Sequence, residues 1–402
     1  MSTTPAPIHL AVALEGAGWH PAAWREPGTH PDALFTAAHW TGLAREAERG
    51  LIDFLTIEDG LRLQSDHPYR PDHRTDRVRG RLDAVLTAAR IAPATSHIGF
   101  VPTVTTFHTE PFHSSKAVAT LDYVSTGRAG VRVQIGGQPD EIEHIGRRRG
   151  EADIAAPAGA EDRFAEAADY VEVLRRLWDS WEDDAEIRDT ATGRFIDRDK
   201  LHYIDFEGRW FSVKGPSITP RPPQGQPLVA ALGHADLPYR FIARSADLGF
   251  VTPQDAGQAR TTVERIRAEQ AAAGRADEEV RVFADLLVLL DDSEQAARDR
   301  RDRLDELAGL PDPEVPIDAR VFAGTAAQLA DLLQEWAEAG INGFRLRPAV
   351  LPHDLRRITE ELVPELQRRG AYPYRSAEDY ARPATLRARL GLPRPANRYA
   401  AA

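Results

Sequence analysis

The chain contains no cysteine among its 402 residues. This absence excludes disulfide bonds, thiolate metal sites and a cysteine nucleophile. Long apolar runs are missing as well, since none approaches the roughly 18–20 residues that a membrane-spanning helix needs. The first residues, MSTTPAPIHLAVAL, carry no basic region ahead of their apolar stretch, which argues against a signal peptide. These absences predict a soluble, cytoplasmic protein.

Positive charge is also in short supply. The sequence has 50 Lys and Arg residues against 62 Asp and Glu residues, so its formal net charge at pH 7 is -12. Nucleic acids and anionic membranes select for basic protein surfaces. We therefore expect neither a nucleic acid nor a membrane as a partner.

Several catalytic motifs are absent too. The histidines form no HExxH pair or other tight ligand set, so no metal site is expected. The sequence contains no GxSxG, no P-loop and no GxGxxG. A nucleophilic hydrolase and a Rossmann dehydrogenase therefore have no support.

What the sequence does contain is a regular alternation of short apolar runs and amphipathic helical stretches. Parallel strands need cover on both faces, and eight strand–helix units close into a barrel. The pattern therefore predicts an α/β fold, a (β/α)8 TIM barrel. Its predicted strands are 8–14, 52–57, 98–101, 131–135, 228–232, a short one around 250–251, 280–290 and 342–346.

The length suits one barrel domain with additions. We expect the barrel to occupy 1–372, with a polar insertion rich in Gly, Pro and Asp at about 182–226, after the fourth strand and its helix. The remaining residues, 373–402, are predicted to form a C-terminal arm. Thr325 and Gln328 have the spacing of a capping box at a helix start.

In such a barrel, functional side chains gather where the strands end. Asp59 ends the second strand, Thr105 and Thr106 end the third, and Gly136-Gly137 ends the fourth. Threonine hydroxyls can bind a heterocycle or phosphate, and glycines let a flat ligand approach the backbone. Each has a structural alternative: a loop-ordering aspartate, threonines that simply favour strands, and a plain turn.

Two basic residues stand near the same edge. Arg132 lies early in the fourth strand, where an inward-pointing cation must pair with a carboxylate or an anionic ligand. If it points outward it is simply solvated, and alternation alone does not decide. His234 follows the fifth strand at a helix start, where the helix dipole favours an anion. Both are candidates for an anion site.

The loops also supply histidines and aromatic residues. His108 and His144 are candidate proton donors, although loop histidines more often have surface or structural roles. Trp19 follows the first strand, and Phe206 and Trp210 lie in the insertion. These three aromatic residues are predicted to form an apolar roof over a bound substrate.

Five long stretches of the chain resemble one protein family: AREAERGLIDFLTIEDG, HIGFVPTVTTFHTEPFHSSKAVATLDYVSTGRAG, DRFAEAADYVEVLRRLWDSWEDDAEIRD, FIDRDKLHYIDFEGRWFSVKGPSITPRPPQGQP and VPELQRRGAYPYRSAEDYARPATLRARLGLPRPANR. The family is the flavin-dependent luciferase-like monooxygenases, in the branch that contains nitrilotriacetate, dibenzothiophene-sulfone and long-chain-alkane monooxygenases. The stretches occur in order and cover most of the chain. Runs such as LWDSWEDDA are far more specific than any short motif.

The resemblance assigns residues to a flavin site only in part. The family's flavin-site aspartate falls on Asp59 and its hydroxyl residue after the third strand falls on Thr105, so both types are kept. Its histidine and tyrosine at the next helix start fall on Ala160 and Phe164, so both polar groups are lost. Its serine pair after the fifth strand falls on His234-Ala235.

Further departures follow the fourth strand. The family's Trp-Asn and Thr-Ser fall on Val131-Arg132 and Ile135-Gly136, and its Asn-Phe-Gly falls on His144-Ile145-Gly146. By position, the predicted cofactor site contains Asp59, Thr105, Arg132, Gly136, Phe164, His234 and Ala235. The changes surround the flavin phosphate and the ring edge, which leaves two interpretations open. Either Arg132 and His234 supply a different anion site, or the chain has lost tight flavin binding or uses another flavin such as the deazaflavin F420.

The resemblance implies a two-component monooxygenase. Reduced FMN would come from a separate flavin reductase, and O2 would oxygenate a small organic substrate at the mouth of the barrel. The family's habit of association implies a homodimer or homotetramer. Two alternatives remain open: an oxidoreductase dependent on the deazaflavin F420, and a non-catalytic flavin-binding paralogue.

Overall fold

A closed barrel of parallel strands forms the centre of the protein. The computed structural model describes residues 7–67, 71–136, 139–145, 157–310 and 318–400. The strands in these ranges are β1 (His9–Leu14), β2 (Phe54–Ile57), β3 (Gly99–Thr105), β4 (Gly130–Gln134), β5 (Glu186–Asp189), β6 (Arg194–Ile196), β7 (Phe206–Glu207), β8 (Ser212–Val213), β9 (Leu228–Gly233), β10 (Leu248–Val251), β11 (Arg281–Leu290), β12 (Arg320–Gly324) and β13 (Gly343–Pro348). Eight of them pair in the order β10-β9-β4-β3-β2-β1-β13-β11, and pairing of β10 with β11 closes the ring. The predicted TIM barrel is confirmed.

Helices connect the strands. They are α1 (Ala37–Arg49), α2 (Ala84–Ile91), α3 (Pro111–Val124), α4 (Pro139–Ile145), α5 (Pro157–Asp179), α6 (Asp236–Ser245), α7 (Ala256–Ala272), α8 (Glu294–Ala308), α9 (Ala326–Glu338), α10 (His353–Arg357), α11 (Val363–Arg368), α12 (Ala377–Ala381) and α13 (Leu386–Arg389). A π-helical turn, Ile358–Leu362, joins α10 to α11. Short 3-10 turns occur at Ala23–Arg25, Pro31–Ala33, Ala92–Ala94 and Arg198–Lys200. Among the described residues, no helix combines the length and apolarity that crossing a bilayer requires.

Side-chain caps fix where several helices begin. A capping oxygen accepts a hydrogen bond from a free N–H group in the first helical turn. At α9, Thr325 and Gln328 form both bonds of the predicted capping box. The other side-chain caps on helices around the barrel are Thr36, Asp83, Asp255 and Ser293.

A ninth strand, β12, extends the barrel sheet and was absent from the sequence-based prediction. The long strand β11 pairs with β10 only from Arg281 to Ala284, whereas β12 pairs with its later residues, Leu286 to Leu290. The second half of β11 thus extends beyond the end of β10, and β12 pairs with the strand edge that this extension exposes. Because β12 is short and mostly half-buried, it lacks the continuous apolar run of a barrel strand.

The C-terminal segment closes one end of the barrel. Leu386, Leu390 and Leu392 belong to the cluster that fills the barrel interior together with Phe54 and Val101. A side-chain carbon on Gly99, the first residue of β3, would lie only 2.7 Å from Leu386. The leucines therefore cover the end where the strands begin, and the opposite end forms the rim.

Replacing Leu386 with alanine is expected to lower the free energy of unfolding by about 2–5 kcal/mol, because a fully buried leucine leaves a cavity. Leu386 is 1% exposed. Leu86, which is 70% exposed, provides a matched control whose replacement should cost within about 0.5 kcal/mol. Urea unfolding of both variants measures the difference. Equal, small losses would mean that the C-terminal segment does not seal the barrel.

Candidate active site

Strand alternation places a charged layer inside the barrel, just below the rim. Val101 lies in the apolar interior, so Thr103 and Thr105 on the same strand also point inward. By the same alternation Asp285 points inward, because it lies two residues after Phe283, which belongs to the barrel interior. Register pairs Asp285 with Arg345 across β11 and β13, and Thr103 with Arg132 across β3 and β4.

The charges in this layer form one connected network. The Arg345 guanidinium donates to both oxygens of Asp285, at 2.9 Å to the first, and approaches Glu58 at 3.4 Å. Arg347 also donates to Asp285, at 3.0 Å from its Nε, and to Asp318 at 2.7 Å. Arg345 and Asp285 are completely buried. A buried cation of this kind is tolerated only because its carboxylate partners are in place.

Arg132 points into the barrel and belongs to the same network. Its guanidinium donates to Glu58, to Thr103 Oγ1 at 2.8 Å and to Gln134 at 3.3 Å. Burial lowers the pKa of Arg132 to about 10, although the nearby Glu58 carboxylate raises it. Of the two alternatives for Arg132, inward and paired or outward and solvated, the structure shows the first. Its partner is a carboxylate of the protein, Glu58.

Asp59 orders the loop after β2. Its carboxylate accepts the Gly60 N–H at 2.7 Å and the Ala84 N–H, at the start of α2, at 2.8 Å. Burial raises the pKa of Asp59, and these two hydrogen bonds oppose the shift. This geometry corresponds to the loop-ordering alternative, and the side chain remains half-buried at the rim.

Thr105 carries a hydroxyl available at the rim. It is 4% exposed, and its Oγ1 makes no hydrogen bond to any residue in the described ranges. A side-chain carbon on Gly136 would lie 2.6 Å from the Thr105 methyl group and 3.3 Å from the His108 ring. Only glycine therefore lets the chain after β4 pass so close to Thr105. Gly137 lies outside the described residues.

The backbone below Thr105 is braced. Thr109 Oγ1 donates to the Thr105 carbonyl at 2.7 Å and is 2.8 Å from the Tyr170 hydroxyl. Tyr170 donates in turn to Ser114 at 2.5 Å. Burial raises the pKa of Tyr170 to about 12, so it stays a hydrogen-bond donor at neutral pH. This chain fixes the end of β3 against α5.

The two candidate proton donors have different surroundings. His108 is buried beside Gly136, and its Nε2 lies 3.8 Å from a Glu141 oxygen. His144 is exposed near the end of α4. The structure therefore brings His108, and not His144, into contact with the Thr105–Gly136 cluster; Gly146 lies outside the described residues.

The other predicted cofactor residues lie on α5 and before α6. Phe164 packs edge-on against Phe241, with ring centroids 5.8 Å apart, so it joins these two helices. His234 is exposed, as is Ala235, which begins α6 without a side-chain cap. Ala160 is half-buried in the first turn of α5.

The three predicted roof aromatics do not come together. Trp19 stands at the rim, where its Nε1 donates to Ala13 at 2.8 Å and the Arg347 guanidinium stacks on its ring at 4.6 Å. Phe206 instead packs with Val173 and Leu177 of α5 in a separate cluster. Trp210 is half-buried, with Arg209 stacked on its ring at 5.2 Å.

Arg163 is a cation for which the described part of the chain offers no partner, and the sequence-based reasoning missed it. Its Nη1 is buried and unbonded, and the side chain forms no ion pair with any described residue. Burial lowers its pKa. It shares a helical face with Tyr170, two turns nearer the start of α5, so it lies about 10 Å farther toward the rim.

A cleft opens beside the rim between the ends of β1 and β2. It is small, and its charged lining residues are Glu15, Glu58 and Arg81. Arg81 pairs with Glu15 through its Nε at 3.0 and 3.1 Å.

Sequence signals existed for the residues that were missed. Asp285 interrupts the apolar run VFADLLVLL, and Arg345 and Arg347 alternate in GFRLRP. A charge at an inward position of a barrel strand is costly without a partner, so these residues were detectable as a set. Arg163 gave no such signal, because charged residues are ordinary on an outer helix.

The fold is a TIM barrel, and the residues described above gather at the carboxyl ends of its strands. The family described as Luciferase-like monooxygenase matches residues 18–340. N-acetyl-S-(2-succino)cysteine monooxygenase of Bacillus subtilis (strain 168) is 30% identical over an alignment that covers 100% of both chains. Nitrilotriacetate monooxygenase component A of Aminobacter aminovorans is 28% identical, with 98% of each chain covered. Riboflavin lyase, crystallised with modified FMN and riboflavin, superimposes with a TM-score of 0.80 at 25% identity, covering 96% of each chain.

The chain therefore belongs to the luciferase-like monooxygenase family. The family match runs from just after β1 to just before β13, and the alignments with the two relatives cover 98–100% of each chain. The resemblance predicted from the five sequence stretches is confirmed.

Proposed function

We propose that the protein is the oxygenating component of a two-component flavin-dependent monooxygenase, which uses reduced FMN and O2 to oxygenate a small organic substrate. The observation that carries the proposal is the end-to-end match to monooxygenases, one of them named as a component A. A separate flavin reductase supplies the reduced flavin. Association into a homodimer or homotetramer is part of the same proposal.

The rim residues fit a flavin mononucleotide. A flat polar ring needs hydrogen-bonding groups and a close backbone approach, and the phosphate needs a cation. The unbonded Thr105 hydroxyl beside Gly136 meets the first need. Arg163, two turns above Tyr170 on α5 and without an ion pair to any described residue, would meet the second. Arg132 is less suited to the phosphate because Glu58 already neutralises it.

The protein would position the flavin and keep water from it, whereas bound reduced flavin supplies the electrons that activate O2. Thr105 would hydrogen-bond the ring system or its ribityl chain. Asp59 would hold the adjoining loop through Gly60 and Ala84. His108, buried beside Gly136 with its Nε2 3.8 Å from a Glu141 oxygen, is our candidate proton donor. Phe164, His234 and Ala235 would border the phosphate from α5 and α6.

Oxygen consumption tests the proposal directly. Protein mixed with FMN, a flavin reductase and NADH should bind reduced FMN and consume O2 in step with product from a substrate panel. Anaerobic turnover with reduced F420 and an electron acceptor would instead identify the F420-dependent alternative. Stoichiometric flavin binding without substrate oxygenation across the panel would identify a non-catalytic paralogue.

Replacing Thr105 with valine is expected to weaken reduced FMN binding by about 5- to 15-fold, because one neutral hydrogen bond contributes about 1–1.5 kcal/mol. Valine keeps the shape and the β-branched backbone preference of threonine. An anaerobic flavin titration measures the change. Thr109→Val, which removes a structural hydroxyl instead, controls for general disturbance of the rim. Unchanged affinity in Thr105→Val would assign Thr105 to a purely structural role.

A further inference from the structure

Side chains at the ends of three adjacent strands form a ledge on one side of the barrel mouth. Register pairs Thr105, the last residue of β3, with Gln134, the last residue of β4. On the other side of β4, the pairing of Val133 with Ala231 places Leu232 of β9 beside Gln134. Leu232 packs against the cluster that fills the barrel interior. The ledge therefore runs from a hydroxyl to an amide to an apolar side chain.

Arg132 determines how the Gln134 amide is oriented. The two residues lie on the same face of β4, and the Arg132 Nη2 donates to Gln134 Oε1 at 3.3 Å. A guanidinium has donors only, so the atom that faces it is the amide oxygen and not the amide nitrogen. The Gln134 NH2 group is thereby turned away from Arg132. It donates to no described residue, and the half-buried side chain leaves it accessible from the mouth.

Both ends of this arrangement are held in place. Arg132 is bound to Glu58 and to Thr103 Oγ1 at 2.8 Å. The Gln134 carbonyl accepts the Thr106 N–H at 2.9 Å, which fixes the end of β4 against β3. A donor that is oriented before binding loses less conformational entropy when a ligand arrives. The Gln134 NH2 group is therefore a preorganised hydrogen-bond donor.

The free polar groups of the ledge are neutral. The charged side chains near the ends of β2 and β13, Glu58 and Arg347, both have ion-pair partners. Thr105 and Gln134 instead keep a hydroxyl and an NH2 group without a partner among the described residues. Neutral donors suit a carbonyl oxygen, since they would not neutralise a charged ligand group. Adjacent strands lie roughly 4.8 Å apart, so the two donors can face one ring edge with two carbonyl groups, such as the pyrimidine edge of a flavin.

We propose that Gln134 binds the flavin ring by donating its amide N–H to a carbonyl oxygen of the pyrimidine edge, beside the Thr105 hydroxyl. Arg132 is the positioning residue that orients this amide, and it acts on the flavin only through Gln134. The inference rests on the proposed function, because it adds a residue to the same flavin site. It differs from the role proposed for Arg163, since it concerns the ring and not the phosphate.

Two substitutions of Gln134 test the contact through flavin binding alone. Gln134→Glu retains an oxygen for Arg132 but replaces the donor with a carboxylate, which only accepts hydrogen bonds. FMN and riboflavin should both bind about tenfold or more weakly, because a donor is lost and a carboxylate faces a carbonyl. Gln134→Leu, which removes the amide without adding charge, should weaken the binding of both flavins about 5- to 15-fold. Fluorescence titration measures these affinities, and anaerobic titration measures those of the reduced forms.

Gln295, exposed on α8 outside the barrel, provides the control variant. Gln295→Glu adds the same charge as Gln134→Glu and should leave both affinities within twofold of the unmodified protein. Thermal melts check that each variant is folded. A loss of FMN binding with riboflavin binding retained in the Gln134 variants would contradict a ring contact.

Flavins with one altered carbonyl identify the atom that Gln134 contacts. In 2-thio-FMN and 4-thio-FMN a sulfur atom, a weaker acceptor, replaces one or the other ring oxygen. The unmodified protein should bind at least one analogue about fivefold or more weakly than FMN. Gln134→Leu should bind FMN and that analogue with affinities within twofold of each other, because it has no donor at this position.

Arg132→Met tests the positioning role with the same analogue. Without the guanidinium the Gln134 amide is no longer oriented, so the ratio of the two affinities should fall to about twofold. A variant that merely disturbed the rim would weaken FMN and the analogue alike and preserve their ratio. An unchanged ratio in Arg132→Met would therefore overturn the positioning role.

The outcomes separate this inference from the proposed function. If the Gln134 variants bind both flavins as tightly as the unmodified protein, or if the unmodified protein does not discriminate against either thio analogue, the ring contact is overturned and the monooxygenase proposal stands. Weaker flavin binding in the variants of a protein that consumes no O2 would support the ring contact and contradict the monooxygenase proposal. An unmodified protein that binds neither flavin would overturn both.

Discussion

Replacing Arg345 with methionine is expected to lower the free energy of unfolding by about 3–5 kcal/mol, because it leaves buried carboxylates uncompensated. Arg345 is completely buried and is bound to Asp285, with Glu58 at 3.4 Å. Its guanidinium also lies 4.4 Å from the centre of the Phe250 ring, a contact that methionine replaces only in part. Urea unfolding at constant pH measures the loss.

Two further variants identify the cause. Arg49→Met removes an exposed arginine from its pairs with Glu46 and Glu360, and should cost within about 1 kcal/mol. The double variant Arg345→Met with Asp285→Asn should lose less stability than the sum of the single variants, because each removes the other's unpaired partner. Strict additivity would show that the ion pair is not what stabilises this layer.

Replacing Arg163 with glutamine is expected to weaken FMN binding by about 10- to 100-fold, the loss of one hydrogen bond between charged groups. Riboflavin carries the same ring and ribityl chain without the phosphate, so its affinity should change less than twofold. Fluorescence titration with each flavin, and anaerobic titration with its reduced form, measures both affinities. The critical result is that Arg163→Gln weakens the binding of FMN much more than the binding of riboflavin.

Another arginine on α5 gives the matched control. Arg176 forms an ion pair with Glu172 at 2.7 Å. Arg176→Gln therefore removes from the same helix a positive charge that a carboxylate already neutralises. Its FMN affinity should remain within twofold of the unmodified protein. An equal loss of FMN and riboflavin binding in Arg163→Gln would mean that Arg163 supports the rim and does not contact the phosphate.

The strands of the barrel were predictable because each needs an apolar run covered on both faces. That requirement appears in every window of the sequence and depends little on what the run contacts. The ninth strand, β12, lacked this signal, since its place in the sheet depends on the length by which β11 outreaches β10. The secondary-structure propensity of residues 320–324 contains no information about how far β11 extends beyond β10.

The site was predictable in outline and much less in detail. Strand ends identified Thr105, Asp59 and Gly136, because parallel strands present their carboxyl ends at one rim. Whether Arg132 is free or neutralised depended on Glu58, 74 positions away in the chain, with which it forms an ion pair. The separation of Phe206 from Trp19 likewise depended on how the insertion folds against α5.

The sequence by itself determined the barrel, the family and the edge where chemistry is expected, because hydrophobic periodicity and the five family-like stretches are local properties of the chain. Only the tertiary structure decided which charged side chains form ion pairs with one another and which remain available to a ligand. Pairing energies depend on distances between residues that are remote in sequence. Arg132 and Arg345 are therefore neutralised by carboxylates inside the barrel, whereas Arg163 has no ion-pair partner among the described residues and is the cation we propose for the flavin phosphate.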